Sequence, residues 1–314
     1  MAVTLAQAAL LSETQLQRGV VETFVQESSI LDRLPLMNIE GNAYAYNREA
    51  TLPGVAFRSV NEAYTESTGT VVQATESLVI LGGDADVDRF IVQTRGDLND
   101  QRAIQTRLKV KAASYKFQDA FFNGDVAVDP KGFDGLKKRL TGAQVIDAAT
   151  NGLGPVAGGH DFFDALDALI GAVPGLEGSN GAIYANRAVQ ARIISSLRRL
   201  GGADFVNESL TNKRVLTYNG IPVLDPGLTA AGAAVLPLTE TQGTSTASSS
   251  IYAVRFGEDE TDQGVTGLTN GGVQVDDLGQ LQEKPAYRTR IEFYCGLATF
   301  GGRAAARLRG ITAS

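Results

Sequence analysis

Apolar residues recur at helical spacing near the start of the chain. Leu16, Val20 and Phe24 occupy every fourth position, and Ser12 with Gln15 forms a capping box ahead of them. This pattern predicts a short amphipathic helix that follows a polar tail and ends by Pro35.

The next segment, from Asn42 to Gln73, has strand-like character but few apolar residues with which to build a core. Tyr44 and Tyr46 alternate with small residues, Pro53-Gly54 breaks the chain, and Thr, Ser and Glu dominate the remainder. The pattern predicts an extended two-stranded excursion. Because such a segment cannot bury itself, we expect it to pack on another subunit.

Strand-like residues return at 78–92 and lead into the longest helical pattern of the chain. Asp97 or Asn99 is the predicted N-cap, and Gly124 supplies the stop. The apolar positions of this helix are Ile104, Leu108, Tyr115 and Phe122.

A second unit is predicted after a glycine-punctuated connector at 132–159. A helix begins near residue 160, a buried strand follows at 182–185, and a second helix runs from Arg187 to Leu200. Asn219-Gly220 forms a turn into a further strand. This order predicts a mixed sheet flanked by helices.

The last third combines a low-complexity stretch with two strand patterns. Residues 226–250, rich in Ala, Gly, Thr and Ser, are predicted to form a mobile surface loop. Strands are predicted from Ile251 to Phe256 and from Tyr287 through Phe300. From the order of the elements, we expect the final strand to rejoin the sheet of the first unit.

Composition narrows the class of protein. The 314 residues carry a net charge of −7, which argues against a surface built throughout to grip nucleic acid. Thirty-five glycines and an aromatic content of 7% are typical of a chain rich in strands and loops. We expect neither a signal peptide nor a membrane span, because no basic n-region and no long apolar run occur.

Three alternating carboxylates, Asp84, Asp86 and Asp88, resemble the first positions of a calcium-binding loop. The pattern then fails, because Arg89 occupies the glycine position and Arg95 the closing glutamate position. A solvated acidic strand face is therefore favoured over a divalent-cation site.

Other candidate chemistry is sparse. Cys295, the single cysteine, lies in an apolar run and is predicted to be a buried structural thiol; it shares no spacing rule with His160, the single histidine. Gly152, Gly154 and Gly158 have the wrong spacing for dinucleotide binding. The sequence predicts no catalytic, cofactor-binding or metal-binding residue, which favours a structural protein over an enzyme.

Basic residues are concentrated on the long predicted helix and near the end of the chain. A solvated face is one interpretation, and contact with DNA is the other. The candidate DNA-facing residues are Arg102, Arg107, Lys109, Lys111, Lys116, Arg303, Arg307 and Arg309.

In their order along the chain, these segments resemble the major capsid proteins of tailed bacteriophages, whose HK97-like fold is shared with encapsulin nanocompartment shells. Residues 42–66 (NAYAYNREATLPGVAFRSVNEAYTE) resemble the extended loop, or E-loop, that lies across a neighbouring subunit. The helix at 98–122 resembles the spine helix. Residues 220–227 (GIPVLDPG) resemble the turn and strand of the axial domain, and residues 287–311 resemble the closing strand of the peripheral domain and its basic tail.

The resemblance implies an α+β chain with the HK97-like capsid fold: an N-terminal arm, an extended two-stranded E-loop, a peripheral domain with a long spine helix, and an axial domain. The implied ranges are 1–41 for the arm, 42–80 for the E-loop, 81–150 for the first part of the peripheral domain with its spine helix at 98–123, 151–280 for the axial domain and 281–314 for the closing strand and tail. The implied E-loop contacts to a neighbouring subunit are Tyr44, Tyr46, Arg48, Phe57, Arg58 and Tyr64.

The implied function is that of a structural subunit, not an enzyme, that assembles into pentamers and hexamers of an icosahedral phage shell around double-stranded DNA. Its partners would be further copies of itself, a portal, a separate scaffolding protein, decoration proteins and the DNA, with no membrane and no cofactor. Its place would be the virion capsid, after assembly in the bacterial host cytoplasm. Lysine-mediated crosslinking of the E-loop is not expected, because no lysine precedes Lys109.

Two alternatives stay open at the level of the sequence. One is an encapsulin-like nanocompartment shell, which shares the fold and differs in its contents. The other is a metal-dependent enzyme that relies on carboxylates such as Asp84, Asp86 and Asp88.

Overall fold

The computed structural model describes residues 3–4, 28–95, 101–157, 159–200, 205–207 and 214–313. Within these ranges the chain forms two larger sheets, one two-stranded hairpin and five α-helices. The strands are β1 (Val3–Thr4), β2 (Pro35–Asn38), β3 (Ala43–Thr51), β4 (Thr70–Ser77), β5 (Val79–Asp88), β6 (Val145–Asp147), β7 (Gly181–Tyr184), β8 (Phe205–Asn207), β9 (Arg214–Tyr218), β10 (Ile221–Leu224), β11 (Glu240–Gln242), β12 (Ser245–Arg255), β13 (Val265–Gln280), β14 (Ala286–Thr299) and β15 (Ala305–Thr312). The helices are α1 (Arg89–Arg95), α2 (Gln101–Asn123), α3 (Leu136–Arg139), α4 (His160–Gly171) and α5 (Arg187–Leu200).

The first sheet has five strands in the order β1-β2-β13-β14-β5. Its strand β14 alternates in burial, so that Ile291, Phe293 and Cys295 point into the core. Helix α2 packs on this face, and the rings of Phe117 and Phe293 lie 5.8 Å apart. The strand β14 pairs with β5, so the chain returns to the sheet of the first unit, as expected from the order of the elements.

The strand β13 lies in this five-stranded sheet, although its residues fall inside the range 151–280 that the sequence assigned to the axial domain. It forms a long antiparallel pair with β14, from Val265 opposite Thr299 to Gln280 opposite Tyr287. A strand connected so closely to its successor pairs with it locally. The sheet therefore gains β13 together with the closing strand.

The second sheet has eight strands, seven of them in the order β6-β15-β12-β7-β10-β9-β8, with β11 beside β12. Its strand β15 lies between β12 and β6, with Leu308 and Ile311 fully buried. The sequence placed residues 281–314 wholly in the peripheral domain, yet their last strand belongs to this second sheet. Its alternating apolar residues complete a core that also contains Phe162 and Leu166 of α4.

The predicted mobile loop at 226–250 is wrong in its second half, because β12 begins at Ser245. Ser248, Ser249 and Ser250 are each at most 1% exposed. Their hydroxyls donate to neighbouring acceptors, including the backbone oxygen of Leu236 for Ser249, so that small polar residues can occupy a central strand. The strand was not predicted because this segment has low sequence complexity.

Two local predictions are confirmed in detail. Helix α5 spans Arg187–Leu200, and β9 joins β10 through Asn219 and Gly220, whose φ angles are 50° and 76°. Both residues occupy the left-handed region that a tight two-residue hairpin turn requires. The predicted N-terminal helix lies outside the described residues up to residue 27, and residues 28–34, over which it was predicted to continue, form turns instead. The predicted caps Asp97 and Asn99 also lie outside the described residues.

The two sheets share one aromatic contact region. Phe122, near the end of α2, packs its ring 5.4 Å from that of Tyr184 and 5.0 Å from that of Tyr252. Tyr184 and Tyr252 belong to β7 and β12, so the long helix that covers the first sheet also touches the second.

Candidate assembly surfaces

The β3–β4 hairpin leaves the body of the molecule as the sequence predicted. Its two strands pair from Ala43 opposite Ser77 to Thr51 opposite Thr70. At about 3.3 Å per residue, the length of β3 carries its end roughly 30 Å from its base. The connecting residues 52–69 form a tip whose side chains are all exposed.

An aromatic contact fixes the base of the hairpin to its own chain. Tyr46 is 3% exposed, its ring lies 4.9 Å edge-on from that of Phe300, and its hydroxyl donates to the backbone oxygen of Thr299 at 3.2 Å. The hydroxyl of Tyr44 donates to the carboxylate of Glu260 at 2.5 Å. This hydrogen bond raises the pKa of Tyr44 to about 12, because it favours the protonated phenol.

An ion pair fixes the second strand. Arg139 of α3 and Glu76 of β4 form a two-point contact in which Nη2 lies 2.7 Å from Oε2. Both side chains are less than one fifth exposed. The planar guanidinium matches the carboxylate, so this pair defines the direction of β4 as well as its position.

The tip has internal order although it lies clear of the body. The amide of Gly54 donates to the hydroxyl of Ser67 at 2.8 Å, and the amide of Ser59 donates to Glu62 at 2.9 Å. The guanidinium of Arg58 lies 5.2 Å from the centre of the Tyr64 ring. These contacts connect the two sides of the tip and order its turn.

The same tip displays its apolar side chains to solvent. Val55 is 95% exposed, Phe57 108%, Val60 90% and Tyr64 68%. A contiguous apolar display of this kind on a strand extension is typical of a surface that another chain covers.

The six residues that the sequence assigned to inter-subunit contact therefore divide into two groups. Phe57, Arg58 and Tyr64 lie on the exposed tip. Tyr44 and Tyr46 lie at the base and contact their own chain, and Tyr46 is a core residue because Phe300 covers it. Arg48 lies between the two groups, at the edge of a cleft.

This cleft, which we call the overhang cleft, has a volume of about 800 Å³ and lies beneath the hairpin. Its roof is the underside of the hairpin, with Arg48, Leu52, Val72 and Ala74. Its opposite side is formed by the β14–β15 connection from Phe300 to Arg303, together with Gln263, Arg255, Pro174 and residues 143–144. No sequence pattern indicated this cleft, because its walls come from segments that are distant along the chain.

The alternating carboxylates of β5 are paired with arginines of β14. Arg290 contacts Asp84 through two bonds of 2.8 and 3.1 Å, and Arg288 contacts Asp86 through two of 2.7 and 2.8 Å. Lys284 also donates to Asp86 at 2.5 Å. Hydrogen bonds from Arg288 and Lys284 hold the pKa of Asp86 well below its ordinary value, and that from Arg290 lowers the pKa of Asp84.

This ladder of ion pairs leaves little of the carboxylate charge for a metal ion. Among the described residues, no group of three or more His, Cys, Asp or Glu side chains is arranged to hold one. Asp88 has a local role, because its carboxylate accepts the amide of Phe90 at 2.7 Å where α1 begins.

Several of the candidate DNA-facing residues have acidic partners. Arg102 lies 2.6 Å from Asp277, Lys116 lies 3.7 Å from Asp129, Arg307 lies 2.8 Å from Glu240, and Arg309 pairs with Asp147. Lys111 lies 5.5 Å from the centre of the Tyr115 ring. Arg107 and Arg303 are exposed, and Lys109 lies against Gly83 of β5. The eight residues are thus spread over α2, the β14–β15 connection and β15 rather than brought together.

Cys295 and His160 are not a reactive pair. Cys295 is 1% exposed in β14, and burial raises the pKa of its thiol to about 12, which disfavours the thiolate. His160 lies at the first position of α4, beside the other sheet.

The acidic residues at 258–262 form a turn in which Asp262 accepts the amide of Glu258 at 2.9 Å. None of the helices in the described ranges is long and apolar enough to cross a membrane.

Comparison with known proteins adds independent information. Residues 13–157 match the sequence model of a family described as Major capsid protein GP7. No curated protein sequence matches the chain.

Solved structures match over most of the chain. The capsid of a native GTA particle is 16% identical with a TM-score of 0.65, and the match covers 91% of each chain. Microbacterium phage Oxtober96 gives 14% identity and a TM-score of 0.60, with 91% of this chain and 90% of that chain covered. The holo-SrpI encapsulin complex of Synechococcus elongatus PCC 7942 gives 19% and 0.64, with 91% and 88% covered. At such identities these likenesses establish the fold.

The family match and the fold agree on one class of protein. The described chain is a mixture of several sheets and few helices, with a long helix on the first sheet and an extended hairpin. Its overall fold matches that of the capsid structures. The chain thus has the HK97-like fold of the phage capsid structures, and its residues 13–157 match the family model of a major capsid protein.

Proposed function

We propose that the chain assembles into pentamers and hexamers of an icosahedral phage shell that encloses double-stranded DNA, without lysine crosslinks between E-loops. The observation that carries this proposal is the hairpin tip, where preorganised apolar side chains stand fully exposed on a rigidly based extension. The residues assigned to contact with a neighbour are those of the tip and its edge: Arg48, Phe57, Arg58 and Tyr64.

Two physical arguments support a neighbouring copy as the surface that covers the tip. Covering apolar area stabilises by about 25 cal/mol per Å², and in a shell each copy both gives and receives this contact. A contact between unlike surfaces of identical chains closes into rings when its rotation allows. We accordingly assign the five-stranded sheet with α2 to the peripheral domain and the eight-stranded sheet to the axial domain around the local symmetry axes.

Stability in this shell is noncovalent. The hairpin carries no lysine, since the first lysine of the chain is Lys109 in α2. We therefore expect mature shells, boiled in detergent, to give a single band at the subunit mass of 33.1 kDa.

The experiment that tests the proposal is electron microscopy and sedimentation of the purified chain, alone and with a separate scaffolding protein. Closed shells with fivefold vertices are expected. A Phe57→Ser variant should lose shells while its unassembled subunit keeps its stability within about 0.5 kcal/mol, because the Phe57 side chain is fully exposed. The matched control is Val128→Ser, which removes an apolar side chain that is 83% exposed and lies off the hairpin. A subunit that stays compact and monomeric under all conditions would contradict the proposal.

The contents of the shell separate the phage assignment from the encapsulin alternative, which the structural likeness to the SrpI encapsulin complex supports. Particles isolated from cells should contain nuclease-protected double-stranded DNA. In a phage shell, a portal at one vertex, decoration proteins on the outside and assembly in the bacterial cytoplasm are further expectations. Particles that hold protein cargo and no DNA would favour the nanocompartment.

A further inference from the structure

The chain contains several Asn-Gly pairs, a dipeptide with a chemistry of its own. The asparagines of these pairs are Asn123, Asn151, Asn180, Asn219 and Asn270. The backbone nitrogen of the glycine can attack the side-chain carbonyl carbon of the asparagine, because glycine has no side chain to obstruct the approach. The attack needs a glycine N–H and an asparagine side chain that are both free to move, so the fold decides which pair reacts.

In three pairs the glycine amide already donates a hydrogen bond. The amides of Gly124 and Gly152 donate to backbone oxygens of their own turns at 3.0 and 3.4 Å. The amide of Gly271 donates to the side-chain oxygen of Asn38 at 3.1 Å. Each of these bonds must break before the nitrogen can attack.

The asparagine side chains of the same three pairs are also held. The side-chain nitrogen of Asn123 donates to a backbone oxygen at 2.7 Å, and that of Asn270 donates to another at 3.4 Å. The side-chain oxygen of Asn151 accepts a backbone amide at 3.2 Å. Both halves of the reaction are therefore restrained in these pairs.

The fourth pair, Asn180-Gly181, is restrained by its side chain and by packing. The side chain of Asn180 accepts the amide of Glu177 and donates to the backbone oxygen of Gly175, both at 2.8 Å. Gly181 is buried at the start of β7, where an added Cβ atom would collide with the backbone oxygen of Val254. The backbone at this point has no room to close into a ring.

The fifth pair, Asn219-Gly220, has neither restraint. Within the described ranges, the side chain of Asn219 and the amide of Gly220 form no hydrogen bond. Both residues are exposed, and no described atom beyond the chain neighbours lies within 4 Å of the Cβ position of Gly220. The turn between β9 and β10 thus has space both for a ring and for water.

We infer that Asn219 is a site of spontaneous deamidation through the amide nitrogen of Gly220. This nitrogen loses its proton and attacks Cγ of Asn219, so that an N–Cγ bond forms and the Cγ–Nδ2 bond breaks. The departing nitrogen takes up a proton and leaves as ammonia, and the product is a five-membered succinimide. Water then adds to one of the two ring carbonyl carbons and opens the ring to aspartate or isoaspartate, with no oxidation or reduction.

The product changes the charge and the geometry of the turn. Either form of the product adds one carboxylate to a subunit whose net charge is already −7. Isoaspartate also adds a carbon atom to the main chain, which alters the two-residue connection that places Ile221 opposite Tyr218. The reaction needs no neighbouring subunit, so it is independent of the proposed assembly.

Peptide mapping of the folded wild-type chain, incubated at mildly alkaline pH, tests the inference. Tryptic peptide 215–255 contains Asn219 as its single asparagine, peptide 117–131 contains Asn123 and peptide 256–288 contains Asn270. Conversion in peptide 215–255 should be about tenfold faster than in the other two, because their pairs must first break hydrogen bonds. Isoaspartate, detected by enzymatic methylation, should be present. Aspartate as the sole product, or equal conversion in the three peptides, would overturn the inference.

The same chain unfolded in urea is the matched control. Without the fold, the three Asn-Gly pairs should react at similar rates, since each glycine amide is then exposed to water. A preference for Asn219 that persists unchanged in urea would mean that neighbouring sequence, and not the hydrogen bonding of the fold, selects the site.

One substitution should create a second reactive pair. Asn38→Ala removes the acceptor of the Gly271 amide, so conversion at Asn270 should rise several-fold while that at Asn219 stays unchanged. The rate at Asn123 in the same sample reports whether the variant is folded, because it rises only on unfolding. An unchanged rate at Asn270 would overturn the selection of the site by hydrogen bonding.

Discussion

At the scale of single residues, Tyr46 joins the hairpin to the body. Its ring packs edge-on against Phe300 and its hydroxyl donates to the backbone of Thr299, so that one side chain supplies both packing and a hydrogen bond. The alternation of Tyr44 and Tyr46 with small residues predicted a strand. It did not show that the buried face belongs to the same chain, because Phe300 is remote from Tyr46 in the sequence.

We expect Tyr46→Ala to lower the free energy of unfolding of the unassembled subunit by about 3 kcal/mol, the usual cost of deleting a buried aromatic ring. Tyr46→Phe keeps the ring and loses the hydrogen bond, so its cost should be about 1 kcal/mol. Chemical denaturation of the subunit before assembly measures both. Equal effects of the two variants would contradict the packing role of the ring.

The ion-pair ladder gives a dependence on pH. The pKa values of Asp84 and Asp86 are lowered in the folded state, so their pairing stabilises the fold above the ordinary aspartate pKa of about 4 and is lost as the pH falls through the lower folded-state values. Asp86→Asn should therefore lower the urea midpoint of the unassembled subunit slightly at pH 7, and the difference from the wild type should shrink at about pH 3.

The matched control for this variant is Asp88→Asn on the same strand. The asparagine introduced there would still accept the amide of Phe90 through its side-chain oxygen, so the urea midpoint at pH 7 should stay near that of the wild type. A gap between Asp86→Asn and the wild type that stays constant from pH 7 to about pH 3 would contradict the electrostatic account.

At the scale of elements, the β9–β10 turn could be predicted from the sequence, because the conformation of a turn depends on its own residues. The β9–β10 turn needs positive φ at both central positions, and Asn-Gly is the pair that tolerates this at least cost. We expect Gly220→Ala to destabilise the subunit by about 1 kcal/mol, since Gly220 has a φ of 76° although open space surrounds it.

The Gly171→Ala variant separates the effect of backbone conformation from the effect of the space around the new Cβ atom. Gly171 ends α4, has open space around its Cβ position and lacks a positive φ, so alanine should stabilise by up to about 0.5 kcal/mol. Thermal unfolding of the two variants should shift in opposite directions. Shifts of the same sign would indicate that the surroundings, and not the backbone, determine the effect.

Strands whose partners are distant were harder to recognise. The serines of β12 were predicted to lie in a loop. A hydroxyl can be buried only where an acceptor such as the backbone oxygen of Leu236 or Glu240 is available, and the sequence pattern does not show such an acceptor. The strand β13 was not predicted, because glycines interrupt its alternation of apolar and polar residues, and Gly271 and Gly272 have positive φ. The long helix, the hairpin and α5 were recognised, since their patterns are continuous in sequence.

At the scale of the whole molecule, charge is distributed as pairs more than as patches. The chain has 28 basic and 35 acidic residues, and several basic residues of α2 and β15 face carboxylates. The candidate DNA-facing residues could be identified from the sequence. The neutralisation of their charge by carboxylates could not be predicted, because Asp277 and Asp147 are remote in sequence from Arg102 and Arg309.

We therefore expect weak binding of duplex DNA by the unassembled subunit, with few counterions released. Arg107→Gln should make the dependence of log affinity on log salt shallower by about one unit, because Arg107 is exposed and has no acidic partner among the described residues. Arg309→Gln should leave the slope unchanged, since Asp147 already holds Arg309. Fluorescence titrations at several salt concentrations measure the slopes, and a larger effect at Arg309 would contradict this account.

The position of β15 between β12 and β6 has a consequence for synthesis on the ribosome. This strand is translated after every other strand of the eight-stranded sheet, yet it lies inside the sheet and not at its edge. A nascent chain that stops before Ala305 leaves the edge of β12 and the core around Ile251 open to chaperones and proteases. We therefore expect a chain that stops before Ala305 to be degraded rather than incorporated into a particle.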